Sequence, residues 1–138
     1  MKLEIPEIRS AAFEIKTSIK NIKKMHAYQL ELANGQEKIQ ASQDGTLQEL
    51  TKAIALDDIN TIENAERFIS EILSLTDDEV GKLQELERKD FMDLQSKLVL
   101  LLQGYGETEI NDMFKEEVDS AEKKVQALKK EKSTTTTN

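Results

Sequence analysis

The chain has 138 residues, enough for one ordinary core and too few for two domains of usual size. It carries 19 Lys+Arg against 27 Asp+Glu, a formal net charge of −8, so a nucleic-acid backbone would be repelled on average. The absence of Cys excludes disulfides and thiolate metal sites, and the five Gly and single Pro favour long helices because those residues interrupt them.

The opening is the least helical stretch. Leu3 and Ile5 alternate with Lys2 and Glu4 up to Pro6, and Phe13 and Ile15 alternate with Glu14 and Lys16. This period of two predicts short extended pieces over 1–17, either a small hairpin or an arm that leads into an early helix. From Ser18, a suitable cap, Ile19, Ile22, Met25, Gln29, Leu32 and Ala33 fall at helical spacing. Asn34-Gly35 reads as a stop, since both residues tolerate the left-handed conformation. Gln36 to Thr46 is polar, contains Asp44-Gly45, and reads as a loop.

A short helix is expected from about Leu47 to Leu56, with Leu47, Leu50, Ala53 and Ile54 on one face. Asp57 or Asp58 then reads as the cap of a second helix carrying Ile59, Ile62, Ala65, Ile69, Ile72 and Leu73. Thr76-Asp77-Asp78-Glu79 spells a capping box, in which the Thr76 hydroxyl accepts the Glu79 N–H and the Glu79 carboxylate accepts the Thr76 N–H. A short helix follows with Val80, Leu83 and Leu86, then one from about Lys89 with Phe91, Leu94, Leu98, Leu101 and Leu102, closed by Gly104-Tyr105-Gly106. Thr108 opens a last helix with Ile110, Met113, Phe114, Val118, Ala121, Val125 and Leu128, and Ser133 to Asn138 reads as a disordered tail. The fold class is therefore mainly all-α: a single helical domain over 1–132, about five helices, and a short extended N-terminal element.

Little in the sequence resembles an active site. His26 stands alone among Lys23, Lys24 and Tyr28, and nucleophilic catalysis needs a Ser or Cys beside its base. The glycines at 35, 45, 81, 104 and 106 begin no phosphate-binding pattern. The acidic pairs precede expected helices, and capping accounts for them better than a metal does. The reading is a non-enzyme without cofactor or metal. The opening residues lack a signal-peptide apolar run, and the longest apolar run, Leu98 to Leu102, is far short of the roughly 20 residues that span a bilayer. A soluble intracellular protein, free of membrane and nucleic acid, is expected.

The positive feature is surplus apolar helix. The segment Phe91, Leu94, Leu98, Val99, Leu100, Leu101 and Leu102 is apolar on nearly every side at its end, whereas a surface helix needs one apolar face. It is either the central core helix or a surface for self-association or a helical partner, and helical spacing favours a split, with Leu94, Leu98 and Leu101 inward and Val99 and Leu100 towards a neighbour. Charge is segregated as well: residues 1–30 hold six basic and three acidic side chains, while 57–112 hold five basic and 15 acidic. Neighbouring copies with that pattern would attract, so weak homo-oligomerisation is expected.

The run from Phe68 to Val80, with its Leu75-Thr76-Asp77 cap and short acidic helix, followed by Phe91 to Leu102 and Gln103-Gly104, resembles the tail assembly chaperones of long-tailed bacteriophages. The likeness runs over residues 59–104 and more loosely over 1–30, where Met1 to Ile5 and Phe13 to Lys16 match a short extended start. It implies a late protein of the host cytoplasm, absent from the mature virion, that coats and solubilises the tape measure protein. It also implies a longer frameshift form that reaches the major tail protein. The alternative is a helical adaptor or scaffold protein unrelated to tails.

Overall fold

Alternation at the start of the chain becomes a two-stranded antiparallel sheet in the computed structural model, which describes residues 1–115. Strand β1, Lys2–Leu3, pairs with β2, Phe13–Glu14, setting Lys2 opposite Glu14 and Leu3 opposite Phe13. The Ile15 N–H extends the pairing by donating to the Met1 carbonyl at 2.7 Å. Ile5, Ile8, Phe13 and Ile15 turn inward and are buried.

Helix α1, Ile19–Ala41, starts where Ser18 accepts the Asn21 N–H. It does not stop at Asn34-Gly35. Both residues lie inside the helix, and the expected loop over 36–46 shrinks to 42–46. The correction has a packing reason. Gly35 faces the next helix, where an added Cβ would collide with the Asp57 carboxylate. The missing side chain allows that approach and offsets the roughly 1 kcal/mol that Gly costs a helix. The helix ends at Ser42, whose hydroxyl donates to the Lys38 carbonyl at 3.0 Å.

Helix α2, Leu47–Leu73, runs 27 residues without interruption. The two helices expected on either side of Asp57-Asp58 are one, so neither Asp is a cap. Thr46 caps the helix instead, accepting the Glu49 N–H at 3.2 Å. Asp within a helix costs well under 1 kcal/mol, no Gly or Pro lies nearby, and α1 supports this stretch along its side. Asp58 also gains a partner there, since Arg88 Nη2 donates to its Oδ2 at 2.6 Å. Ser74, with φ 52°, ends the helix in the left-handed conformation.

Helix α3, Asp77–Gln84, opens on the expected capping box, and α4, Arg88–Leu102, follows, closed by Gly104 at φ +102°. The fold is mainly α. The core brings Ile8, Phe13 and Ile15 together with Met25 and Tyr28 of α1, the second half of α2, Leu83 of α3 and the inner face of α4. Tyr28 and Phe68 stack at 4.8 Å between ring centroids. The chain divides into a unit Met1–Gly104 and a second one from Tyr105, in which residues 107–115 are helical. The expected stripe from Val118 to Leu128 and the Ser133 to Asn138 tail lie outside the described residues.

Candidate partner-binding surface

The segment singled out in sequence divides in the structure. Phe91, Leu94, Leu98, Leu101 and Leu102 are buried in the chain's own interior, Leu98 completely. Val99 and Leu100 are half-buried, and with Tyr28, Gln29 and Leu32 they line a shallow depression of about 310 Å³. Burial pushes the Tyr28 hydroxyl up to about 12, because its charged form would have to be desolvated.

A second apolar surface was missed because it belongs to a helix that the sequence reading had cut in two. Leu47, Ile54, Leu56, Ile59 and Ile62 are all exposed, Leu47 by 80% and Ile62 by 36%. Length was the available signal. An unbroken 27-residue α2 spans ~40 Å, whereas the eight residues of α3 and the 15 of α4 reach only ~12 and ~22 Å. The exposed apolar residues of α2 before Ile62 therefore lie beyond the reach of α3 and α4.

Beyond them is a depression of about 240 Å³ lined by Ile62, Leu83, Leu86, Phe91 and Met92. Polar side chains border it. Gln84 donates to Glu66 Oε1 at 2.8 Å, and Arg88 is held by Asp58. The surface is apolar in the middle and acidic around it, a pattern suited to holding a protein segment rather than to bond-breaking chemistry.

The capping residues carry more than a cap. Besides the Thr76 N–H at 3.0 Å, the Glu79 carboxylate accepts Arg9 Nε at 2.6 Å on Oε2 and Arg9 Nη2 at 2.7 Å on Oε1. Arg9 lies over the Phe13 ring at 4.3 Å. The hydrogen bonds from Arg9, then that from the Thr76 backbone, hold the Glu79 carboxyl down at about 2, and Glu79 in turn raises the Arg9 guanidinium above its ordinary value. This two-pronged bond ties the N-terminal hairpin to the start of α3. Nothing in the sequence pairs residues 70 positions apart, so only the Thr76–Glu79 half was foreseen.

Among the described residues, His26 is exposed, no three His, Cys, Asp or Glu side chains gather as metal ligands would, and no helix is long and apolar enough to cross a membrane. The fold defines a mainly helical protein. The family of phage tail assembly chaperone proteins matches residues 1–120, and the chain belongs to that family, as the likeness around Phe68 to Val80 implied. Neither the curated proteins nor the solved structures compared with the chain gave a match.

Proposed function

We propose that the chain binds the tape measure protein during tail morphogenesis and keeps it soluble, acting stoichiometrically, without catalysis or cofactor, in the host cytoplasm and apart from the finished virion. The observation that carries the reading is the uncovered apolar outer face of α2 in a chain of net charge −8. Covering side chains that stand about half exposed returns roughly 1 kcal/mol each, given 1.5–3 kcal/mol for a full burial. The acidic remainder keeps the complex in solution. Val99 and Leu100, beside the Tyr28 depression, are a second contact, offered to a neighbouring copy. Weak self-association there makes the coating cooperative, and a longer frameshift form brings in the major tail protein.

Co-expression tests this. The tape measure protein is expected in the soluble fraction with the chain present and in the pellet without it. An unchanged distribution overturns the reading. Sedimentation of the chain over a range of concentrations should show weak association, and a strict monomer removes the cooperative part.

A further inference from the structure

We propose that the outer face of α2 and the depression at its end hold one kind of occupant, an amphipathic helix whose apolar stripe is bordered by Lys or Arg. The inference rests on the function proposed above and names the chemistry of the segment held. Three observations carry it.

The first is size. About 240 Å³ lies below the roughly 300 Å³ at which small-molecule pockets begin, and the lining is apolar at Ile62, Leu83, Leu86, Phe91 and Met92 with Glu66, Gln84 and Arg88 beside them. Such a depression takes one or two apolar side chains of a larger partner, as an anchor does at a protein interface.

The second is shape. Ile62 borders the depression, Ile59 lies one turn back from it, and Ile54 stands on the row of Ile62, ~12 Å away along the axis with the Asp58–Arg88 pair between them. A helix that presents apolar side chains at i, i+3, i+4 and i+7 matches that length. An extended segment finds no purchase, because the face is built from helices whose backbone groups are satisfied within each element and which offer no sheet edge.

The third is charge. Asp58, Glu63 and Glu66 stand on α2 beside the stripe, and Glu85 and Glu87 are interleaved with the lining residues Gln84, Leu86 and Arg88. Arg88 is already held by Asp58. Over residues 47–102 the chain has 13 acidic and six basic side chains. A border of that sign favours a basic partner. It also disfavours a second copy docked through the same face, since a two-fold pair would set the acidic border against itself.

The test uses the full chain and two fluorescent amphipathic peptides of about six turns. Both carry Leu at i, i+3, i+4 and i+7, and one is bordered by Lys, its twin by Glu. The Lys peptide should bind roughly tenfold or more tightly than its twin at low salt, with the gap closing at high salt. Ile54→Ser and Ile59→Ser, both at exposed positions, should stay folded and weaken the Lys peptide by roughly tenfold. Glu63→Gln with Glu66→Gln should narrow the gap between the twins. Equal binding of the twins, or serine variants that bind like the parent, overturns the proposal. So does a dimer of the parent chain that Ile59→Ser converts to monomer, which would make a second copy the occupant. Co-expression of the tape measure protein separates the two readings. A soluble tape measure protein without peptide selectivity removes this inference alone. Selective peptide binding beside an insoluble tape measure protein upholds it and removes the proposed function.

Discussion

The two halves of α2 carry the same kind of sequence and meet different fates. Ala65, Phe68, Ile69, Ile72 and Leu73 in the second half are exposed by 5% or less, whereas Leu47, Ile54, Leu56 and Ile59 in the first half are exposed by 49–80%. Apolar residues recur at helical spacing in both. The difference is what lies opposite: α1, α3 and α4 pack on α2, and among the described residues the short α3 and α4 do not reach along its first half. Helical spacing states which face can be buried. It does not state that a neighbour arrives to bury it. In the function proposed above for this member of a tail assembly chaperone family, the less covered half is where a partner supplies that neighbour.

Substitutions in the covered half and its surroundings should give the largest effects. Ile69→Ala and Leu98→Ala each leave a cavity at a fully buried site and should destabilise the fold by about 2–5 kcal/mol in urea or guanidinium unfolding. A loss below about 1 kcal/mol for either would mean that the second half is not the packed half.

The continuity of α2 can be broken directly. Ile59→Pro should cost about 3 kcal/mol and lower the far-UV helical signal, because position 59 donates a hydrogen bond inside an unbroken helix. Were Asp58 a cap, position 59 would be the first helical residue, where Pro is tolerated, and the variant would melt like the parent.

A smaller, pH-dependent effect sharpens the packed side of the comparison. Glu79 titrates at about 2 in the folded chain against an ordinary 4.5, so its contribution is complete above pH 4.5 and is lost as the pH falls from 4.5 through about 2. Unfolding midpoints measured down that range should drop, and Glu79→Gln should flatten the part of the drop that belongs to this group. A variant with the parent's full acid dependence would dismiss the Arg9–Glu79 tie.

The smallest change is expected in the uncovered half. Ile54→Ser and Ile59→Ser should lower stability by no more than about 1 kcal/mol, since each side chain is only half covered. A loss of 2 kcal/mol from either would place the first half in the core after all.

Local signals that need only a few neighbouring residues were legible. Ser18 caps α1, Thr76 and Glu79 form their reciprocal pair, Gly104 closes α4, and alternation marked both strands. Where the reading failed, a signal permitted an end without requiring one. Asn34-Gly35 allows a helix to stop and Asp57-Asp58 allows one to start, but each pair also sits inside a helix at a cost of at most about 1 kcal/mol per residue. The packing of α1 against α2 outweighs it.

By itself the sequence determined the helical class, the caps at Ser18 and Thr76, the acidic character and the family likeness, because each depends on composition or on residues within a turn of one another. Tertiary structure alone decided that α1 and α2 are long and continuous, that Arg9 finds Glu79, and that Ile54 and Ile59 are left half exposed. Those outcomes turn on which distant segments come within van der Waals reach, and the energies that select them are summed over contacts that no local spacing contains.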